Sequence, residues 1–418
     1  MLRPILLINS FLFITGTFAY IDRVITDIMR MLTTLPTFFL AAAVSFSSQA
    51  QVLTSMIPQA PSIAAKSYIL MDYNSGQVLV SEAADEKLPP ASLTKMMTSY
   101  ILAQALKEGK VQKDDMVTIS EAAWAQNFPG SSVMFLEVGK EVSIDQLNRG
   151  IIIQSGNDAT VAIAEHLAGS INSFADLMNG WSARLGMKNS HFVTPHGLHS
   201  DQMYTTAHDM ALLGQALIRD VPEEYKIYSE KSFTFNGITQ HNRNSLLWDK
   251  SLNVDGIKTG HVDAVGYNLV SSATQDDMRL IAVVMGASSE RARATESKKL
   301  LTYGFRFYQT LTPYEANTKL MDQQIWMGTQ DTIALGVDKA VSVTIPRGQA
   351  KNLEADFTLD SALRAPIAKG EQVGTLHLKL DDKDVASMPL VALEEVEQGG
   401  IFSRMIDYIK LLVKDLFS

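Results

Sequence analysis

The chain has 418 residues, 46% hydrophobic and 19% charged: enough apolar material for at least one large core, and too much for intrinsic disorder. A net charge of −9 argues against a general nucleic-acid binder, which needs a basic face to displace counterions. The absence of cysteine excludes disulfides, thiol catalysis and cysteine-ligated metal sites.

Residues 1–50 read as a signal or targeting segment. Leu35 to Phe46 is a short apolar run followed by Ser48-Gln49-Ala50, the small-residue pattern of a signal-peptidase site before Gln51. The run is too short for a spanning helix. A second apolar stretch, Pro4–Tyr20, leaves two readings of the start. Translation from Met29 supplies Arg30 as a positive n-region and makes residues 1–28 an upstream extension. A start at Met1 makes Pro4–Tyr20 a membrane span.

Ser67–Asp72 and Gln77–Val80 are apolar runs around Asn74-Ser75-Gly76, which predicts a β-hairpin. Pro89-Pro90 then stops anything helical, and a helix is predicted from Ser92 to Lys107, with Leu93, Met96, Met97, Tyr100 and Ile101 at helical spacing. Leu147–Ala168 predicts helices interrupted at Ser155-Gly156-Asn157, and Asp209–Ile218 predicts an amphipathic helix. Strands return at Leu269–Ala273 and Arg279–Met285 around Gln275-Asp276-Asp277, and a long helix is expected from Arg291 to Gln309. Strands at both ends with helices between them suggest an α+β domain, residues 60–312, whose antiparallel sheet is covered by helices. Residues 315–395 show short alternating segments such as Val341–Ile345 and Gly374–Leu380, which predict a small all-β, sandwich-like domain. Residues 400–418 follow Gly399-Gly400 with Phe402, Met405, Ile406, Ile409, Leu412, Val413 and Leu416 on one helical face. This helix is too short and charged to span a bilayer, and suits the membrane interface; the competing reading packs it on its own domain.

The chemistry concentrates in Pro90-Ala91-Ser92-Leu93-Thr94-Lys95. Residues three apart share a helical face, so the Ser92 hydroxyl and Lys95 amine can meet. Serine is a poor nucleophile until a base takes its proton, and lysine becomes that base when burial and nearby cations lower its pKa. Alone, the pattern is weak. Ser155-Gly156-Asn157 and Lys258-Thr259-Gly260 follow it in the order of the penicillin-recognising serine enzymes.

With Asn242-Arg243-Asn244, His261 and Gly266-Tyr267-Asn268-Leu269-Val270 alongside these motifs, the chain resembles the low-molecular-mass penicillin-binding D-alanyl-D-alanine carboxypeptidases over roughly residues 60–418. The resemblance implies a β-lactamase/transpeptidase-like fold and no cofactor. It implies acylation of Ser92 by the penultimate D-alanine of peptidoglycan stem peptides, or by β-lactam antibiotics. Lys95 would take the serine proton and Ser155 would relay one to the leaving amine. Asn157 would bond the substrate backbone or hold Lys95. Lys258, Thr259, Gly260 and His261 would form the substrate-docking strand, with the Ser92 and His261 N–H groups as oxyanion hole. Arg243 and Arg293 would face the substrate carboxylate; the competing reading makes them surface ion pairs. Val262 stands where many relatives carry Thr or Ser. The implied setting is the periplasm, with the terminal helix on the inner-membrane surface.

Two rivals are weighed. A class A β-lactamase needs a water-activating Glu between the second and third motifs, and Glu223, Glu224 and Glu230 lack the expected neighbours. A catalytically silent wall-binding protein should have broken motifs, and all three are intact. His191, His196 and His199 cluster without a recognisable metal-ligand pattern.

Overall fold

The computed structural model describes residues 57–198 and 200–417, with side chains through Leu412. The expected cleavage site, the Pro4–Tyr20 stretch, the start at Met29, and His199 lie outside the described residues.

Strands β1 (Ser67–Asp72) and β2 (Val78–Glu82) form the predicted hairpin. Its turn needs a left-handed residue, supplied by Gly76 at φ +70°, and Asp72 Oδ1 accepts from both the N–H and Oγ of Ser75. The partners of β1 come from much later in the chain: β3 (Asn253–Val262), β4 (Gly266–Gln275) and β5 (Met278–Ala287). The sheet order is β2-β1-β5-β4-β3, antiparallel throughout, which leaves β3 at an edge. Alternate side chains face opposite layers. Ile69, Met71, Val270, Ile281 and Val283 pack with Met96, Met97, Tyr100 and Leu213. Leu70, Leu269, Leu280, Ala282 and Val284 pack with Leu300, Leu301 and Phe305. Helices therefore cover both faces, and the inner strands are apolar on both sides.

A 3₁₀ turn, Ala91–Thr94, leads into α1 (Lys95–Lys107), so Ser92 sits one turn ahead of the α-helix proper. Residues Lys95 to Ala105 of α1 are all buried. Such a helix lies in the middle of the domain rather than on its surface. The interruption expected at Ser155 is real: a π-helical turn, Gly150–Gln154, ends at Ser155 with φ +62°, and α2 (Asn157–Ala168) restarts behind Gly156. Helix α3 (Ile171–Arg184) packs on α2, and α4 (Ala207–Asp220) on the sheet.

Helix α5 (Glu290–Phe307) ends two residues before Gln309. Tyr308 and Gln309 instead open β6 (Tyr308–Tyr314), pairing with Pro346 and Ile345, and those ladder bonds outcompete another helical turn. The all-β domain adds β7 (Lys319–Gln324), β8 (Thr332–Gly336), β9 (Val341–Pro346), β10 (Leu353–Leu359), β11 (Gln372–Leu380) and β12 (Lys383–Ala392). The pair β6-β9 faces a five-stranded sheet of order β7-β8-β12-β11-β10. Val341, Val343 and Ile345 of β9 meet Leu376 and Leu378 of β11 between the two. Asp72 Oδ2, fully buried, accepts from Thr310 Oγ1 at 2.6 Å, and Ser75 Oγ meets Thr344 Oγ1 at 2.6 Å, tying the β1–β2 hairpin to the β-domain. The amphipathic helix α6 (Ile401–Phe417) closes the chain, and no described helix is long and apolar enough to cross a membrane.

Candidate active site

Three elements converge at Ser92: the turn before α1, the junction between the π-turn and α2, and the edge strand β3. Their close approach is written into two glycines. A Cβ on Gly197, at φ +82°, would strike the Ala91 carbonyl and lie 2.5 Å from Thr94 Oγ1. A Cβ on Gly260 would lie 3.2 Å from the Pro90 carbonyl and 3.3 Å from Leu93 N, so β3 runs tight against the Ser92 turn. His261, the other expected oxyanion-hole residue, is the next residue along β3.

Lys95 Nζ donates to Ser92 Oγ at 3.0 Å, Asn157 Oδ1 at 2.7 Å and the His196 carbonyl at 2.7 Å. Burial, reinforced by the charge of Arg243 and opposed by Asp158, brings its pKa down to about 7. A neutral amine has two N–H bonds and one lone pair. With the N–H bonds on Asn157 and His196, the lone pair faces Ser92 Oγ. This arrangement can deprotonate the serine. Asn157 Nδ2 donates to Ser131 Oγ at 2.8 Å, which fixes the amide so that its oxygen faces the lysine.

On the other side, Lys258 Nζ donates to Ser155 Oγ at 3.0 Å and to the Thr259 carbonyl at 3.2 Å. Its pKa falls well below the ordinary lysine value, through burial first and then through Lys95, Arg243 and Arg293. The Ser155 hydroxyl is thus paired with an amine of its own, separate from the one that serves Ser92.

The two arginines part company. Arg293 is buried, donates from Nη1 to the Gly260 carbonyl at 3.3 Å, and lies over the Tyr267 ring with its centroid 5.6 Å away. Its ion pair with Glu290 is loose at 3.7 Å. Arg243 is exposed and donates to Ser132 Oγ. The His261 ring is stacked on Tyr267 at 4.1 Å.

Sequence reasoning passed over the loop that supports this site. The buried Asp158 carboxylate accepts from the backbone N–H groups of Met134 and Leu136 at 2.8 to 3.0 Å. The Ser132 carbonyl accepts from Asn157 N–H at 2.8 Å, and Gln240 Nε2 donates to the Val133 carbonyl. Pro129-Gly130 ahead of Ser131-Ser132 is a turn signal that could have marked the loop. His196 contributes its carbonyl; burial, then Lys95, lowers its ring pKa to about 3, so the ring is neutral. Among the described residues no three or more His, Asp or Glu side chains gather as metal ligands. Glu223 pairs with Lys226, Glu224 with Lys113 and Glu230 with Arg149, so each glutamate of the β-lactamase alternative is committed elsewhere.

A serine beside a buried lysine of lowered pKa, a second serine–lysine pair, and an edge strand, all on a helix-covered antiparallel sheet, define a penicillin-recognising serine acyl-enzyme. Residues 54–289 match the family model described as D-alanyl-D-alanine carboxypeptidase, and residues 308–398 match the C-terminal domain of penicillin-binding protein 5. The chain is similar to D-alanyl-D-alanine carboxypeptidase DacA of Escherichia coli K12, 53% identical over 93% of this chain and 97% of that one. It is likewise 53% identical to DacC of the same organism, over 89% and 93%. The solved structure of penicillin binding protein 5 from Haemophilus influenzae matches with TM-score 0.80 and 50% identity, over 81% of this chain and 99% of that one. The chain belongs to the D-alanyl-D-alanine carboxypeptidase family.

Proposed function

We propose that the protein is a serine carboxypeptidase that removes the terminal D-alanine from peptidoglycan stem peptides through an acyl-enzyme on Ser92, and so serves cell-wall biogenesis. The observation that carries this reading is Lys95 Nζ, 3.0 Å from Ser92 Oγ and held there by Asn157 and the His196 carbonyl. Lys95 takes the Ser92 proton as Oγ attacks the penultimate D-alanine carbonyl. The N–H groups of Ser92 and His261 receive the developing oxyanion. Ser155, beside Lys258, gives its proton to the leaving nitrogen and takes up the one held by Lys95, so that D-alanine departs as the amine and Lys95 is neutral once more. Water then attacks the ester with Lys95 again as base. Lys258 also explains the preference for a free carboxyl end: burial among cations disfavours its ammonium, and an incoming carboxylate relieves that penalty. Thr259 and Gly260 offer backbone to an extended peptide along β3. β-Lactams, carrying a strained amide and a carboxylate, acylate the same serine.

Intact-mass measurement with penicillin and assay of D-alanine released from a pentapeptide test the reading. One adduct per chain and stoichiometric D-alanine are expected. Penicillin labelling that survives Ser92→Ala refutes it, and rapid steady penicillin turnover favours a β-lactamase instead.

We further propose a periplasmic location, with α6 on the inner-membrane surface. The support is the signal-like segment and the unusual orientation of α6. Its polar side ties to the β-domain, with Asp407 Oδ2 accepting Met327 N–H at 2.9 Å and Arg404 bonding Gln398. Ile401, Phe402, Met405, Ile406, Ile409 and Leu412 are exposed, while Leu411 is buried. A helix packed only for its own domain would bury its apolar side.

A further inference from the structure

Two side-chain hydrogen bonds, one helical turn apart, join the central helix α1 to the segment that carries Ser155. At the head of α1, Lys95 Nζ donates to Asn157 Oδ1 at 2.7 Å; one turn on, Ser99 Oγ donates to Asn148 Oδ1 at 3.0 Å. We propose that the second bond makes Ser99 and Asn148 positioning residues for the reaction: it holds α1 at the rotation and axial register in which Lys95 meets Ser92. The inference rests on the function proposed above and adds two residues to the support of that site.

Asn148 is placed for this by the chain on both sides of it. It lies in a short helix, Ile144–Arg149, whose start is fixed by Ser143: its hydroxyl accepts the Gln146 N–H while the Gln146 side chain accepts the Ser143 N–H. The π-turn Gly150–Gln154 follows directly, closed by the Gly156 N–H on the Gly150 carbonyl at 3.0 Å, and delivers Ser155. The segment from Asn148 to Asn157 is therefore braced at both ends, and each end offers α1 one side-chain amide. Lys95 and Ser99 are four residues apart, so they share a helical face and lie about 6 Å apart along the axis. One directional bond leaves a helix free to turn about it. Two bonds a turn apart fix both its rotation and its position along the axis.

The cost of the arrangement points the same way. Ser99, Asn148 and Glu224 are all buried. Asn148 Nδ2 donates to Glu224 Oε2 at 3.3 Å, and Glu224 Oε1 takes Lys113 Nζ at 2.6 Å. The polar bridge thus runs from α1 through the core to an exposed lysine. Apolar residues of like volume would avoid desolvating these groups and are often more stable. What a satisfied polar bridge adds is one specified geometry. A serine inside a helix ordinarily turns its hydroxyl back to the carbonyl four residues earlier, whereas Ser99 reaches across to another segment. The bonds of Lys95 go to Ser92, Asn157 and His196, so Asn148 acts on the amine only through the placement of α1.

The test follows acylation of the full chain by a chromogenic β-lactam, titrated to saturation so that the limiting rate is separated from half-saturation. Ser99→Ala and Asn148→Leu, the latter close to the native volume, should each lower the limiting rate about tenfold with half-saturation unchanged, as misplacement of a reacting group does. The double variant should lose no more than the worse single one, because the same bond is missing in all three. Tyr100→Phe is the control: it removes another side-chain hydrogen bond of α1, to Asp220 at 2.8 Å, and should leave the limiting rate unchanged whatever it does to the melting temperature. Ser99→Ala alone decides the matter if Asn148→Leu does not fold. The positioning role is overturned if Ser99→Ala acylates at the wild-type rate, if the losses add in the double variant, or if Tyr100→Phe slows acylation as much. Wild type that is not acylated at all refutes the parent function, and the inference falls with it.

Discussion

Lys95 must be buried enough to lose a proton near neutrality and close enough to Ser92 to take another. Because the neutral form is the base, acylation should be slow below pH 7 and rise to a plateau above it, with its midpoint at the Lys95 pKa of about 7. Stopped-flow acylation by a chromogenic β-lactam across pH 5 to 9 measures this, and a flat profile would contradict it. Lys95→Arg keeps charge and reach but stays protonated, so it should lose roughly 10²- to 10⁴-fold in acylation rate, the usual worth of a general base. Asn157→Ala removes one of the two acceptors that orient the amine. A loss of about tenfold or more in the same assay is expected, since misplacing a reacting group is costly even when it remains present.

At the scale of elements, the site depends on three segments meeting without side-chain bulk between them. Gly197→Ala puts a methyl into the Ala91 carbonyl and strains a left-handed backbone, so the Ser92 turn and the His196 carbonyl must separate. Such strain is worth about 1–3 kcal/mol. Chemical denaturation should show that loss, together with at least a tenfold fall in acylation. The three motifs were legible in the sequence because each is a short run of polar residues, and the fold brings their side chains together. The hairpin at Asn74-Ser75-Gly76 and the break at Ser155 were legible because turn residues announce them. The supporting loop's role was not, although Pro129-Gly130 marks its turn: Asp158 works on the backbone of Met134 and Leu136, and a backbone N–H has no signature in sequence. The end of α5 was misplaced by two residues because Tyr308 and Gln309 fit a helix locally and are claimed by strand partners some forty positions on. The positions of Arg243 and Arg293 depend on contacts between distant segments, Arg243 with Ser132 and Arg293 with the Gly260 carbonyl, which no local pattern encodes.

Across the whole molecule, the β-domain is joined to the catalytic sheet through a buried carboxylate. Asp72→Ala would leave Thr310 Oγ1 without its acceptor and the Ser75 turn unsupported, a loss of about 1–3 kcal/mol. Thermal melting measures it; an unchanged melting temperature would mean that the junction is incidental. Deleting residues 401–418 should leave penicillin acylation in solution unchanged while abolishing co-flotation with anionic lipid vesicles, because among the described residues α6 alone presents a run of exposed apolar side chains. Retained flotation would place the membrane contact elsewhere.

The edge position of β3 carries a liability as well as a function. An unpaired strand edge is a template on which a second copy of the protein can add a strand. Here most of the edge is blocked. Its first half bulges between Val254 and Gly256 and lies under the turns Lys226–Ser229 and Ser245–Trp248, with Asn244 Nδ2 taking the Gly256 carbonyl at 2.8 Å. The stretch left for a peptide runs from Lys258 to His261, too short to nucleate a sheet between copies and flanked by cations that repel a like neighbour. The same arrangement that leaves this short stretch of the strand open thus disfavours strand addition by a second copy.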